Sequence, residues 1–171
     1  MPPGRPATFS PCSTTMQADP PFTVSEARLP DDLPAIEAIR RQVFIEEQGI
    51  PAQLEWDDQD TDCRHVLART RDGGVLGTGR IDPHGRIGRL AVLGPWRGQG
   101  IGTALLHALL AIARQRGHDP VTLHAQLDAC GLYRRAGFSE RGTPFTEAGI
   151  LHVIMEKCLL RDNTDSNGNR D

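Results

Sequence analysis

The chain of 171 residues carries a formal net charge of −3 and is 38% hydrophobic, which suits one domain with a core of its own. A slightly acidic chain is unlike the basic surface of nucleic-acid-binding proteins, so we expect no nucleic-acid partner. The sequence contains no run of about 20 apolar residues that could cross a membrane, so we expect no membrane partner. The N-terminus lacks the apolar core of a signal peptide, so we expect a cytoplasmic protein.

Both ends of the chain are predicted to be disordered tails. Residues 1–20 contain five of the thirteen prolines and show no hydrophobic period. Residues 161–171 are almost entirely polar and cannot bury a hydrophobic face. We therefore expect a single folded domain over residues 21–160.

The domain begins with a predicted strand and a predicted helix. Apolar and polar residues alternate over residues 22–28, which is typical of a strand. Apolar residues then recur at helical spacing from Leu33 to Phe44, with Asp31 or Asp32 available as the N-cap. Gly49 and the proline that follows shortly after it are expected to end this helix.

Three short β-like segments follow an acidic segment that ends at Asp62. They cover residues 65–70, 75–81 and 87–93, and the turn sequence Arg-Asp-Gly-Gly at residues 71–74 predicts a hairpin between the first two. We expect these three strands to form an antiparallel meander.

The second half of the domain alternates helices and strands. Apolar spacings of four, four and three predict a helix over about residues 100–116, and strands are predicted at 121–125 and 150–156 with a short helix at 128–136 between them. The complete order, β-α-β-β-β-α-β-α-β, predicts an α/β (α+β) fold with a mixed sheet and helices on both faces.

The glycine-rich segment at residues 97–102, Arg-Gly-Gln-Gly-Ile-Gly, lies between a predicted strand and a predicted helix. Backbone N–H groups without partners, at the positive end of a helix dipole, form an anion site suited to a pyrophosphate. The segment is not a P-loop because no lysine is near, and Thr103 replaces the third glycine of the dinucleotide motif. A glycine turn without a ligand is the alternative interpretation.

This segment matches the pattern Arg/Gln-x-x-Gly-x-Gly/Ala and resembles the acyl-CoA loop of the GNAT superfamily of N-acetyltransferases. Residues 123–138 resemble the strand–helix segment of the same family, with Gln126 at a position that is usually Asn. Residues 43–51 and 149–157 are similar to the ElaA-like and YjcF-like acetyltransferases. The resemblance implies a GNAT-like mixed, mostly antiparallel sheet of six to seven strands.

The resemblance also implies an acetyl-CoA site. Backbone groups of the strand before the loop would bond the pantetheine amides, while loop N–H groups would hold the pyrophosphate and Arg97 would add charge. The implied cofactor-binding residues are Leu90, Ala91, Val92, Arg97, Gly98, Gln99, Gly100, Ile101, Gly102, Thr103, Gln126, Ala129, Leu132, Tyr133 and Arg135.

Three residues are candidates for proton transfer. Tyr133 occupies the family position of the acid that protonates the departing thiolate, although its ring could instead only pack the helix against the sheet. An amine acceptor arrives as an ammonium ion and must lose a proton, for which Glu47 is the first candidate base and His152 the second. Glu47 could equally be a solvated charge at a helix end, and His152 a core histidine.

We expect no metal site. The acidic segment contains Asp at positions 58, 60 and 62, as an EF-hand loop begins, but Cys63 and Arg69 stand where that loop needs Gly and Glu. The four cysteines are scattered and form no C-x-x-C pair. The acidic segment is therefore predicted to be a solvated loop, with the alternative that it attracts a cationic amine.

These observations predict an acetyl-CoA-dependent N-acetyltransferase that transfers the acetyl group directly to a primary amine, either a small amine or a peptide or protein amine. A route through an acetyl-Cys130 is disfavoured because no base is evident beside that thiol. The alternative is a non-catalytic acyl-CoA-binding or sensing module. We expect a monomer or a homodimer.

Overall fold

The structure, a computed structural model, describes residues 21–160. The predicted tails, residues 1–20 and 161–171, lie outside the described residues. The strands are β1 (Phe22–Glu26), β2 (Arg64–Thr70), β3 (Val75–Ile81), β4 (Arg86–Val92), β5 (Val121–Gln126), β6 (Ser139–Glu147) and β7 (Ile150–Lys157). The α-helices are α1 (Leu33–Arg40), α2 (Ala52–Glu55), α3 (Ile101–Arg116) and α4 (Cys130–Arg135).

One seven-stranded sheet has the order β1-β2-β3-β4-β5-β7-β6. All neighbouring strands are antiparallel except β4 and β5, which run parallel. The predicted mixed, mostly antiparallel sheet is confirmed. Strand β6 and helix α2 were not predicted from the pattern, because β6 is an exposed, polar edge strand whose pairing is irregular between Arg141 and Phe145, and α2 is a single turn.

Helices cover both faces of the sheet. Ala91 of β4 packs with Val43 and Phe44 on the side of α1, while its neighbours Leu90 and Val92 pack into the core formed with α3. Successive residues of a strand point to opposite faces, so α1 and α3 lie on opposite sides of β4. Within residues 21–160, no helix combines the length and the hydrophobicity that a bilayer crossing requires.

Strand β4 contains a bulge close to the point at which it parts from β5. Thr78 of β3 pairs with Ala91 and Arg80 pairs with Gly88, so two residues of β4 stand opposite one residue of β3. A bulge bends its strand and ends regular pairing. Accordingly β4 pairs with β5 only at Arg86 and Ile87, and the two strands diverge beyond that point.

The first helix is not the uniform α-helix that was predicted. After α1 the chain continues as a π-helix over Arg41–Glu47, in which the N–H of Gln48 reaches the carbonyl of Val43. Asp32 occupies the N-cap position but makes no capping hydrogen bond, because its carboxylate accepts from the backbone of Arg28 and from Arg69. Gly49, at φ +71°, follows the end of the π-helix as predicted.

Candidate active site

The divergence of β4 and β5 opens a cleft of about 940 Å³ on the α1 side, which adjoins a second cavity of about 440 Å³ beside the loop that precedes α3. Both cavities are lined by Leu90, Val92, Arg97, Ala129 and Tyr133. The two cavities therefore meet at these residues. A ligand that passes between β4 and β5 from one cavity to the other would contact them.

The loop before α3 presents a run of backbone donors. Helix α3 begins at Ile101, and the first amide bonded within it belongs to Ala104, which donates to Gly100 at 3.0 Å. The N–H groups of residues 98–103 make no backbone hydrogen bond to any described residue. Gly98 and Gly100 have φ of +76° and +84°, which turns successive N–H groups outward. This arrangement fits a pyrophosphate.

The strand segment predicted to bond the pantetheine is open on one side. Ala91 and Val92 pair with β3, and within the described residues nothing in β5 pairs with them. The carbonyl of Val92 already accepts a hydrogen bond from Nε of Arg97 at 2.9 Å. The other outward-facing groups of this segment are free to bond an extended ligand.

The remaining predicted cofactor residues fall into two groups. Ala129, Leu132 and Arg135 line the smaller cavity with the loop, whereas Gln126 lines the larger cleft. Gln99 lines neither cavity, and its side-chain amide donates to a backbone carbonyl of the same loop at 3.4 Å. Sequence reasoning missed Trp96, which lines the smaller cavity immediately before the loop.

Tyr133 packs in the core and also borders both cavities. Its ring packs edge-on against Phe138 in the core, with the centroids 6.1 Å apart, and the residue also lines both cavities. Burial, with a contribution from the nearby Cys130, raises the pKa of Tyr133 to about 12. No described residue hydrogen-bonds the hydroxyl. The side chain is therefore a protonated donor beside the path between the cavities.

Glu47 and Arg97, predicted to serve different substrates, bind each other. Nη1 and Nη2 of Arg97 lie 2.5 and 2.9 Å from the two carboxylate oxygens of Glu47. The hydrogen bond from Arg97 holds the pKa of Glu47 below its ordinary value. A carboxylate in this arrangement is a weaker proton acceptor than a free one.

His152 on β7 is nine-tenths buried and lines the larger cleft. Its Nδ1 lies 2.8 Å from the carbonyl oxygen of Ile150. Because a carbonyl only accepts hydrogen bonds, Nδ1 carries the hydrogen, and in the neutral ring Nε2 keeps its lone pair. The ring stacks on Phe145 with a centroid distance of 6.1 Å. These contacts fix both the orientation and the tautomer of the imidazole ring.

The side chain of Gln126 connects β5 to the end of the π-helix across the larger cleft. Its amide nitrogen donates to the side-chain carbonyl of Gln48 at 2.9 Å, and it stands opposite His152 in the β5–β7 pair. The π-helix that ends at Glu47 brings Gln48 to this position. Sequence reasoning missed Gln48 because its partner is 78 positions away.

The prediction that the acidic segment is a solvated loop is wrong for three of its members. Glu55 is 2% exposed and is bound by Arg40, which is itself 1% exposed, at 2.6 Å. Asp57 receives two hydrogen bonds from Arg80, at 2.7 and 2.6 Å, which lower the pKa of Asp57 to about 2. Asp60 contacts both of these arginines. Arginines on α1 and β3 supply the opposing charges, and the local sequence does not reveal them.

Asp58 and Asp62 are exposed, in agreement with the predicted solvated loop. Within residues 21–160 no cluster of three or more His, Cys, Asp or Glu side chains could hold a metal ion. The carboxylates that do converge, those of Glu55, Asp57 and Asp60, are matched by guanidinium groups instead.

Comparisons with known proteins bear on this cleft. The family described as "Acetyltransferase (GNAT) domain" matches residues 35–159. BSU40680 of Bacillus subtilis, a proposed acetyltransferase, is 37% identical over 132 residues, which cover 74% of this chain and 89% of that protein. The uncharacterized N-acetyltransferase YjcF of the same species is 33% identical over 125 residues, covering 70% and 87%. The crystal structure of Escherichia coli ElaA matches with a TM-score of 0.70 at 28% identity, covering 79% and 99%.

Proposed function

This chain belongs to the GNAT acetyltransferase family and is an acyl-CoA-dependent acetyltransferase, and on that premise we propose that it transfers the acetyl group of acetyl-CoA directly to a primary amine. The acceptor would be a small amine or an amine of a peptide or protein. The observation that carries the proposal is the pair of adjoining cavities, with Tyr133 lining both. The similarity to YjcF and ElaA confirms the predicted subgroup.

The smaller cavity would take the cofactor. Unpaired N–H groups of residues 98–103 supply donors for the pyrophosphate, and the open edge of β4 offers backbone groups to the pantetheine. The thioester would then lie between β4 and β5 near Tyr133. The larger cleft on the α1 side is left for the amine.

The reaction we propose uses two proton transfers. The amine nitrogen attacks the thioester carbon, and the tetrahedral intermediate collapses with loss of the CoA thiolate. Tyr133 donates its hydroxyl proton to the sulfur, and its pKa of about 12 keeps that proton available at neutral pH. Nε2 of His152 accepts the proton lost by the amine, directly or through one water.

We propose His152 in preference to Glu47 as this base. The Nδ1 contact with Ile150 leaves Nε2 as an acceptor, whereas both oxygens of Glu47 are bound by Arg97. His152 also faces the cleft beside Gln126, within the part of the site left for the acceptor. Glu47 remains a competing candidate that the pH dependence of its variant can test.

The test of the proposal is thiol release from acetyl-CoA in the presence of a panel of amines. We expect release that depends on at least one amine and the appearance of the corresponding acetamide. Binding of acetyl-CoA, measured by calorimetry, without release by any amine would favour the non-catalytic binding or sensing module. The cytoplasmic location, the single domain at 21–160 and the monomeric or homodimeric state stay predictions.

A further inference from the structure

Arg89 is unusual in both its backbone and its side chain. It is one of the two residues of the β4 bulge and has a φ of +52°, a conformation that residues other than glycine rarely adopt. Such a conformation persists where surrounding contacts determine it. The bulge is the point at which β4 and β5 part, so the backbone of Arg89 lies where the gap between these two strands begins.

The side chain of Arg89 reaches away from that path to helix α2. Nη2 lies 3.2 Å from the carbonyl oxygens of both Leu54 and Glu55 and 3.4 Å from a carboxylate oxygen of Asp57. Nε lies 3.2 Å from the Glu55 carboxylate, an ionic contact without hydrogen-bond geometry. One guanidinium therefore contacts the end of α2 and Asp57, two residues beyond it.

Helix α2 needs this support. Two i→i−4 backbone hydrogen bonds, from Glu55 to Pro51 and from Trp56 to Ala52, hold this four-residue helix, and the carbonyls at its end require outside donors. Arg40 donates to the carbonyl of Glu55 at 2.8 Å, and Arg89 donates to the carbonyls of both Leu54 and Glu55. Leu54, Glu55 and Asp57 line the larger cleft, so α2 forms a wall of the space left for the amine.

From these contacts we infer that Arg89 is a positioning residue that couples the cofactor strand to the acceptor wall. Its backbone holds the bulge that opens β4, and its side chain holds α2 at a fixed distance from that bulge. Binding of acyl-CoA along β4 then orders the wall against which the amine rests. The inference rests on the proposed function for the identity of the two substrates.

Two substitutions separate the backbone role from the side-chain role. Arg89→Gly removes the guanidinium but accepts a positive φ, whereas Arg89→Val removes the guanidinium and disfavours that φ. We expect Arg89→Gly to bind CoA within about threefold of wild type in calorimetry and Arg89→Val to bind at least about tenfold more weakly. Arg64→Ala, which breaks an ion pair between Arg64 on β2 and Glu26 on β1, is the control and should not change CoA binding.

Hydrogen exchange of the amides at residues 52–57 reports on the wall. In wild type, CoA should slow this exchange, and in Arg89→Gly the exchange should be faster and no longer respond to CoA. Arg89→Lys keeps a charge beside Glu55, which favours folding. A single ammonium cannot make all of the guanidinium contacts, so we expect that CoA will not slow the exchange of residues 52–57 in this variant either.

The coupling would be overturned if residues 52–57 of Arg89→Gly and Arg89→Lys exchanged at the wild-type rate and responded to CoA as wild type does. Equal CoA affinity of Arg89→Gly and Arg89→Val would also overturn it. Both measurements use CoA alone, so they hold even if no amine in the panel is acetylated. Where the panel yields an acceptor, Arg89→Gly should raise its KM at least about tenfold.

Discussion

Glu47 and Arg97 form a two-point ion pair between the end of the π-helix and the loop that precedes α3. Arg97 lines both cavities, whereas Glu47 lines only the larger one. The pair therefore spans the boundary between the proposed cofactor and acceptor sites. A pyrophosphate bound at the loop would have to share the Arg97 guanidinium with a carboxylate.

This competition predicts opposite effects of the two single substitutions on acetyl-CoA binding. Glu47→Gln removes a negative charge and releases Arg97, so we expect acetyl-CoA to bind about threefold more tightly, a modest gain because both side chains are over 40% exposed. Arg97→Gln should weaken binding about tenfold. Calorimetry at two salt concentrations provides the measurement.

The double variant tests whether the two residues act through each other. Once Arg97 is replaced, the second change should have little further effect, so the double variant should bind as Arg97→Gln does. Strictly additive effects would show that Glu47 acts on the cofactor without Arg97.

The pH dependence of kcat/KM distinguishes the two candidate bases. His152→Gln should lower kcat/KM by about 100-fold at neutral pH and recover in part at high pH, where free amine is abundant. Glu47 has a lowered pKa and is ionised throughout the neutral range, so Glu47→Gln should leave the shape of this profile unchanged. A loss in Glu47→Gln that is largest at neutral pH and recovers at high pH would instead identify Glu47 as the base.

The parts of the site that the sequence could predict depend on short stretches of chain. The loop at residues 97–102 and the segment around Tyr133 each contain their own signal, because a glycine pattern or a helical spacing requires no distant partner. The order of the predicted helices and strands along the chain followed from the same local patterns. The exposed edge strand β6 lacked such a pattern, and it was missed.

The contacts that link these parts could not be predicted in this way. Glu47 and Arg97 are 50 positions apart, and Arg80 and Asp57 are 23 apart. Each side chain alone is equally consistent with a solvated surface charge. The first pair forms because the π-helix lies against the loop before α3, and the second because the segment after α2 lies against β3; both are tertiary features.

Tyr133→Phe tests the proposed acid with the smallest possible change. The ring keeps its contact with Phe138, so the affinity for acetyl-CoA should stay within about twofold of wild type, while kcat should fall about 100-fold. The hydroxyl must be protonated to act, and its pKa of about 12 means that this requirement is met at all lower pH values. Wild-type kcat should therefore show no fall attributable to Tyr133 between about pH 7 and pH 10. Near-normal turnover by Tyr133→Phe would leave the ring with a packing role only.

Gly102 offers the cleanest test of the pyrophosphate loop. Gly100 has a positive φ, so any side chain there strains the backbone, whereas Gly102 lies in the first turn of α3 with no such constraint. A Cβ at Gly102 would meet Leu132 at 3.6 Å, an ordinary contact, so Gly102→Ala should fold normally. The valine side chain of Gly102→Val extends further over the backbone N–H donors, so this variant should lose the rise in Tm that acetyl-CoA produces in wild type. The rise should be reduced only in part in Gly102→Ala. Because glycine is about 1 kcal/mol less favourable than alanine inside a helix, Gly102→Ala should not lower the Tm of the free protein. Wild-type stabilisation of Gly102→Val by acetyl-CoA would show that the pyrophosphate binds elsewhere.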